Sequence, residues 1–148
     1  MTESRLRLAI GAVALTGLAI AAYLTYARYA GAQLYCSTGG CETVQHSRYA
    51  TVAGIPVAVL GLAAYAAVLG TAIARGQTAA AVGFALAAAG LAFSAYLLVA
   101  QLFLIDAICQ WCVASDVVIT LLSAAALMRY LLAFPRAGDA QALAGRAL

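Results

Sequence analysis

Four long apolar runs constrain this chain more than any other feature. They cover Leu8–Ala27, Val52–Ala74, Thr78–Ile105 and Val113–Leu132. Each run has at least the roughly 20 residues that an α-helix needs to cross about 30 Å of hydrocarbon. Of the 148 residues, 66% are hydrophobic and only 9% are charged, whereas about a quarter of a soluble domain is charged. The sequence therefore predicts an all-α integral membrane protein.

The spacing of the runs predicts one transmembrane domain over residues 1–148, folded as a four-helix bundle. The predicted helices span about 8–29, 52–74, 78–105 and 109–133. The first run exceeds the core of about 7–15 residues that is typical of a signal peptide, which favours a retained helix over a cleaved leader. Pro135 is expected to end the last helix. Glycines within the runs, such as Gly70 and Gly83, are expected where helices approach closely.

The arginines predict the orientation. Six of them fall on one side of the predicted bundle: Arg5, Arg7, Arg75, Arg129, Arg136 and Arg146. Arg28 and Arg48 fall on the other side, in the long loop between helices 1 and 2. The positive-inside rule then places both termini in the cytoplasm and makes the loop extracytoplasmic. The net charge of only +3, with no basic cluster, argues against a nucleic-acid partner.

The chain has four cysteines in two pairs, and this orientation places both pairs on the outer face. Cys36 and Cys41 lie in the long loop, and Cys109 and Cys112 open the fourth helix as Cys-Gln-Trp-Cys. Residues three apart share a helix face, so the second pair can approach each other. A helix N-terminus also favours the thiolate, which is the reactive form of cysteine.

Three kinds of site fit such pairs. A static Cys36–Cys41 disulfide closes a very short ring, worth about 2 kcal/mol in the chain-entropy model. A zinc site needs reduced thiolates, which an oxidising compartment disfavours, so no metal is expected. A dithiol–disulfide relay uses both pairs, and the sequence favours it. Gly39 and Gly40 would give the loop freedom to move between its reaction partners.

A wider set of features follows a characteristic order along the chain. Ser47 lies six residues after the second loop cysteine, and the stretch Tyr49-Ala-Thr-Val-Ala-Gly-Ile-Pro56 follows it. Gly61 and Tyr65 continue the second helix, and the Cys-x-x-Cys motif comes late. This ordered set resembles the vitamin K epoxide reductase family, in particular its bacterial members.

The resemblance implies a quinone-dependent, disulfide-forming oxidoreductase. Cys36 would exchange with a substrate protein, and Cys41 would exchange with Cys109. Cys112 would react with the quinone, menaquinone or ubiquinone. Ser47 would help to shape the quinone pocket; the alternative is a turn or cap residue before the second helix.

The resemblance also implies a location and a partner. The expected location is a bacterial inner (plasma) membrane, where the protein is multi-pass and surrounded by lipid. Many bacterial relatives carry a thioredoxin-like domain after the bundle, but this sequence ends before one. The expected partner is therefore an extracytoplasmic thioredoxin-like or DsbA-like protein acting in trans. The alternatives are an animal-type reductase of vitamin K quinone or epoxide, and a non-catalytic membrane protein that responds to thiols or metals.

Two acidic residues flank the second cysteine pair. Asp116 lies one turn beyond Cys112 on the same helix face. An acid inside a membrane helix is a candidate functional group. Asp116 is therefore either a quinone contact that protonates the quinone oxygen or an interfacial carboxylate exposed to water. Asp106 lies three residues before Cys109 and is expected to be the N-cap of the fourth helix.

Overall fold

The structure is a computed structural model that describes residues 2–134. Its helices in chain order are α1 (Glu3–Ala30), α2 (Cys41–Gln45), α3 (Val57–Ile73), α4 (Gln77–Ala100) and α5 (Gln110–Ala133). Helix α1 packs against α3 and α5, and α4 packs against α5 and α3. The four long helices therefore form the predicted all-α membrane bundle, and α2 is a short addition within the long loop.

The four long helices differ in length. Within the described residues, α1, α4 with the turn that follows it, and α5 are long and apolar enough to span a membrane. Helix α3 has 17 residues, which corresponds to about 26 Å at a rise of 1.5 Å per residue. It begins at Val57, five residues later than the sequence predicts.

A small β-hairpin takes the place of the first predicted turn of the second helix. Strand β1 (Thr51–Val52) pairs antiparallel with β2 (Ile55–Pro56). Between them Ala53 and Gly54 have φ values of 51° and 82°, as a two-residue type I′ turn requires. Because these backbone angles are incompatible with an α-helix, α3 starts only after Pro56.

Small side chains allow close packing at specific points of the bundle. A Cβ atom on Gly17 would lie 2.3 Å from Cε1 of Tyr65, so this glycine makes room for the ring between α1 and α3. A Cβ atom on Gly83 would similarly lie 2.6 Å from Oγ1 of Thr71. Gly70 instead faces open space, so the close contact expected there is wrong.

Two arginines cap the C-terminal end of α3. Arg7 donates hydrogen bonds to the carbonyl groups of Ala72, at 2.7 Å, and Ile73. Arg129 donates to the two flanking carbonyl groups, of residues 71 and 74, at 2.6 and 2.8 Å. The last carbonyl groups of a helix lack partners within it, and these two guanidinium groups supply them.

The two ends of the described chain meet at this same end of the bundle. Glu3 lies 3.9 Å from Arg129, and the side chain of Gln77 donates to the carbonyl group of Ala133 at 2.9 Å. The predicted helix stop at Pro135, and two of the arginines used for orientation, Arg136 and Arg146, lie outside the described residues.

The segment between α4 and α5 differs from the predicted continuous helix. Helix α4 passes into a π-helical turn, Gln101–Ile105, and Asp106 then adopts a left-handed conformation with φ 53°. The N-cap position of α5 belongs to Cys109, so the expected N-cap role of Asp106 is wrong. Asp106 instead ends the preceding turn, in a conformation that short polar side chains tolerate.

Candidate active site

The four cysteines meet at the end of the bundle opposite the arginine caps. Cys36 and Cys41 are joined by a disulfide, with their Cα atoms 6.0 Å apart. Cys109 and Cys112 are free thiols. Cys41, Val44 and Cys109 form a buried cluster, and Cys36 and Cys112 pack against it. The structure therefore brings together two pairs that are far apart in sequence.

The cysteines differ in burial in a way that suggests an order. Cys41 and Cys109 are both 0% exposed. Cys36 and Cys112 are partly exposed. The two buried cysteines thus lie between two accessible ones. An external thiol can reach Cys36, whereas Cys41 and Cys109 can react only with groups already inside the site.

The two residues between the helix cysteines hold the loop in place. Oε1 of Gln110 accepts hydrogen bonds from the backbone N–H of Ser37, at 3.0 Å, and from its hydroxyl group, at 2.5 Å. Nε1 of Trp111 donates to the carbonyl group of Tyr35 at 2.8 Å. These bonds set the loop disulfide against the start of α5.

Gly40 lets the loop backbone touch the segment that leads to Cys109. A Cβ atom on Gly40 would lie 2.6 Å from the carbonyl oxygen of Ile108 and 2.8 Å from its nitrogen. The hydroxyl group of Thr38 donates to the same carbonyl group at 2.9 Å. Gly39 has φ 75°, which favours glycine. In this structure the glycines provide a turn and a close contact, rather than the freedom of movement that the sequence suggested.

The backbone of Cys109 is held by a buried side chain that the sequence did not single out. Its N–H donates to Oε1 of Gln101 at 2.9 Å, and Gln101 is only 2% exposed. The carbonyl group of Gln101 also accepts a hydrogen bond from Ala107 at 3.2 Å, which closes the π-helical segment. The available signal was that Gln101 is the one amide side chain in an otherwise apolar run.

The surroundings of Cys109 favour its thiolate. Hydrogen bonding by the Cys112 thiol lowers the pKa of Cys109 to about 6, the N–H groups of Cys112 and Trp111 act in the same direction, and burial opposes them. The side chain of Gln45 adds a smaller effect of the same sign, and its Nε2 lies 3.9 Å from Sγ of Cys112. A stabilised thiolate favours the reduced pair and makes the corresponding disulfide more oxidising.

Asp116 belongs to a polar group inside the bundle. It follows Cys112 by four residues in α5, so the two side chains lie on the same helix face. The Ser94 hydroxyl group of α4 donates to Oδ1 of Asp116. Oδ2 is buried, and no group within residues 2–134 hydrogen bonds to it. Beside it, the hydroxyl groups of Tyr65 and Ser115 are 2.8 Å apart.

Ser47 closes the turn that follows α2. Its hydroxyl group donates to the carbonyl group of Val44 at 2.7 Å, and its N–H donates to the same oxygen at 3.2 Å. Because Val44 belongs to the cysteine cluster, Ser47 stabilises the segment that carries Val44 to the buried sulfurs. Its hydroxyl proton is engaged in this turn.

Two cavities border the loop. An open groove of about 540 Å³ is lined by Gly40, Gln101, Asp106 and their neighbours. A smaller cavity of about 90 Å³ lies on the side of Arg28 and Gln45. Neither of these two cavities includes Ser47, Cys112 or Asp116 in its lining, so they do not unite the three predicted quinone contacts.

A comparison with models of protein families shows to which family the chain belongs. The model of the Vitamin K epoxide reductase family matches residues 8–127. The chain belongs to this family. The match includes all four cysteines, and it confirms the recognition made from the order of motifs. No curated protein matches the chain significantly.

Membership of the vitamin K epoxide reductase family establishes the general chemistry. The protein is a membrane thiol–disulfide oxidoreductase, and proteins of this family act with quinones. The four clustered cysteines are the groups of the chain that can perform such exchange.

Proposed function

We propose that this protein is a quinone-dependent thiol oxidase that generates disulfides for exported proteins. It takes electrons from a reduced extracytoplasmic thioredoxin-like or DsbA-like protein in trans and passes them through its two cysteine pairs to menaquinone or ubiquinone. The proposal rests on how deeply the four cysteines are buried. Cys36 and Cys112 are partly exposed, whereas Cys41 and Cys109, which lie between them in the proposed order of exchange, are fully buried. A relay needs two inner sulfurs that are shielded from external reactants and two outer sulfurs that each meet a different reactant.

The outer exchange begins at Cys36. A thiolate of the reduced partner attacks Cys36, because Cys41 is fully buried. The Cys36–Cys41 bond breaks, and Cys41 leaves as a thiolate. The second thiolate of the partner then attacks the partner's own sulfur in the mixed disulfide. The partner leaves oxidised, and both loop cysteines are reduced.

The inner exchange joins the two pairs. Cys41 attacks Cys109 of the Cys109–Cys112 disulfide, its neighbour in the buried cluster, and Cys112 is released. Cys36 then attacks Cys41, which restores the loop disulfide and frees Cys109 as the stabilised thiolate. The resulting redox state is that of the structure, with an oxidised loop pair and free helix thiols.

The reduced helix pair is the electron donor to the quinone. A bound quinone would accept two electrons and two protons and leave as quinol. Cys112 is the accessible thiol of the pair, and the apolar surroundings of the bundle suit an isoprenoid quinone. Ser47 and Asp116 are the proposed polar contacts. Oδ2 of Asp116 lies one turn from Cys112 and has no hydrogen-bond partner among the described residues. When protonated, it can donate a hydrogen bond to a carbonyl oxygen of such a ring.

The test is quinone reduction by the purified full chain in lipid nanodiscs, driven by a reduced thioredoxin-like protein. Serine replacement of each cysteine in turn should lower the rate at least a hundredfold. A partner with only its attacking cysteine should be captured on Cys36, as read by mass spectrometry. A Cys36→Ser, Cys41→Ser double variant provides the control, because a small dithiol should still reduce its helix pair and drive quinone reduction. Capture on Cys41, or full activity of Cys112→Ser, would contradict the proposal.

A further inference from the structure

Asp116 is a half-buried acid that disulfide exchange alone does not require. One carboxyl oxygen accepts a hydrogen bond from Ser94, and the other is buried with no partner in the described part of the chain. The titratable side chains whose charge interacts with it are Cys112, on its own helix, and Tyr65, on α3. The Tyr65 hydroxyl group is engaged with Ser115. Oδ2 is therefore the free polar atom of this group.

The reduced cysteine pair lacks one of the protons that a quinol needs. A quinol forms from a quinone by addition of two electrons and two protons. Two neutral thiols would supply both protons. Cys109, however, has its pKa lowered to about 6, so at neutral pH the reduced pair carries a single proton, on Cys112. A second acid must stand close to Cys112.

We propose that Asp116 stores the second proton and gives it to the quinone oxygen while the Cys109–Cys112 disulfide forms. This inference rests on the proposed quinone-reducing function. The bond that forms is the disulfide, and its two electrons pass to the quinone. One proton leaves the Cys112 thiol, the other leaves Oδ2 of Asp116, and the carboxylate remains.

The exchange between the two cysteine pairs protonates Asp116 again. When Cys36 and Cys41 close their disulfide again, their two thiols release two protons. One returns to Cys112 and the other to Asp116. The hydrogen bond from Ser94 holds Oδ1, so the proton belongs on Oδ2, the oxygen on the unpartnered side. The reduced centre thus holds two electrons on two sulfurs and two protons on one sulfur and one carboxyl group.

The test counts protons with no quinone present. The full chain in nanodiscs is equilibrated at fixed reduction potentials between pH 7 and 8, above the pKa of Cys109. Alkylation and mass spectrometry give the fraction of the Cys109–Cys112 disulfide. Uptake of two protons makes the equilibrium constant for reduction fall about a hundredfold per pH unit, and uptake of one proton makes it fall about tenfold. The wild type should show the hundredfold dependence and Asp116→Asn the tenfold dependence.

Two further variants separate storage of a proton from a structural effect. Asp116→Glu keeps the acid and should retain the hundredfold dependence. Asp106→Asn makes the same chemical change at an exposed acid and should also retain it. A tenfold dependence in the wild type, or a hundredfold dependence in Asp116→Asn, would overturn the inference. If Asp116→Asn does not fold, the wild-type slope still decides.

The quinone assay then separates this inference from the proposed function. Asp116→Asn should reduce quinone about a hundredfold more slowly than the wild type, as is typical for loss of a general acid. A wild type that takes up two protons but reduces no quinone would overturn the proposed function and leave the proton count standing. Unchanged quinone reduction in Asp116→Asn would overturn the role as proton donor.

Discussion

Cys109 has a combination of three properties that is found at no other cysteine of the chain. It is fully buried, it occupies the N-cap position of α5, and its backbone N–H is held by Gln101. The N-cap position keeps its sulfur beside the free N–H groups of the first helical turn, which stabilise a thiolate. Gln101 does not touch the reacting sulfur. It is a positioning residue, because it acts through the backbone of Cys109.

Replacing Gln101 should change the titration of Cys109. In Gln101→Leu the N–H of Cys109 loses its acceptor, which costs about 1–3 kcal/mol for a buried donor, and the sulfur shifts from the helix N-terminus. The wild-type thiolate should be lost as the pH falls through about 6, and the variant should lose it at a higher pH. The measurement is the rate of alkylation of Cys109 against pH in the reduced protein.

The control for this variant is Gln33→Leu, which makes the same change at an exposed loop glutamine. Gln33→Leu should keep the midpoint near 6, and Gln101→Glu, which retains an acceptor oxygen, should keep the backbone anchor. A midpoint near 6 in Gln101→Leu would show that the hydrogen bond does not position the sulfur.

Among the helices, α1 and α3 approach at Gly17, where the ring of Tyr65 occupies the space of a side chain. The hydroxyl group of the same tyrosine reaches Ser115 on α5 at 2.8 Å. One aromatic residue therefore links three helices just below the cysteine cluster. The packing of α1 on α3 depends on the absence of a Cβ atom at Gly17.

Alanine substitutions at two glycines should therefore have opposite outcomes. Gly17→Ala places a Cβ atom 2.3 Å from the Tyr65 ring, and overpacking of this kind costs about 1–3 kcal/mol. Gly70→Ala meets open space, and the gain in helix propensity is about 0.5–1 kcal/mol. Thermal unfolding in one detergent should show a lower midpoint for Gly17→Ala only. Equal midpoints would contradict the packing described here.

Helix α3 also depends on the arginine caps at its other end. It is the shortest of the four long helices, and its last carbonyl groups are bonded by Arg7 and Arg129 rather than left without partners. Arg129 is 3% exposed, so its charge is a buried part of the fold as well as a marker of orientation.

Removing Arg129 should destabilise the bundle. Arg129→Leu abolishes two hydrogen bonds from a charged group, each of which contributes about 1.5–3 kcal/mol. Arg5→Leu, the control at an exposed arginine on the same helix as Arg7, should change the free energy of unfolding by less than about 0.5 kcal/mol. Unfolding of both variants in the same detergent measures the difference. If Arg129→Leu lowered the free energy of unfolding as little as Arg5→Leu does, a structural role for the Arg129 cap would be ruled out.

Over the whole molecule, the redox site and the arginine caps lie at opposite ends of the bundle. Arg28 donates to the carbonyl group of Gln45 at the cysteine end, whereas Arg7 and Arg129 lie at the other end. Applied to these two ends, the positive-inside rule predicts that the cysteines lie outside the cytoplasm. That compartment also lets disulfides persist.

Labelling of intact cells tests this orientation. After reduction, a membrane-impermeant maleimide should label Cys36 from outside, because it is the accessible cysteine of the loop pair. In a cysteine-free background, Arg75→Cys introduces a thiol at the opposite, exposed end and should react only after permeabilisation. Labelling of both thiols from the same side would exclude the proposed topology.

The membrane class, the helical bundle and the late Cys-x-x-Cys motif follow from local sequence patterns, since apolar length and motif order are properties of the chain itself. The start of α3 could not be predicted from the sequence, because the apolar run continues through the Ala53-Gly54 turn. Only the positive φ values of these two residues show that the helix begins later. The N-cap of α5 is Cys109 rather than Asp106 for a similar reason. Asp106 follows the π-helical turn directly, and α5 begins only after Cys109.

The sequence by itself determined that four thiols, two of them at a helix start, belong to one membrane protein of the vitamin K epoxide reductase family. Only the tertiary structure decided which sulfurs are buried, that Gln101 anchors Cys109, and that one oxygen of Asp116 has no partner among the described residues. The physical reason is that burial and hydrogen bonding depend on contacts between segments distant in sequence, such as Gly40 against Ile108, whereas hydrophobicity and spacing do not.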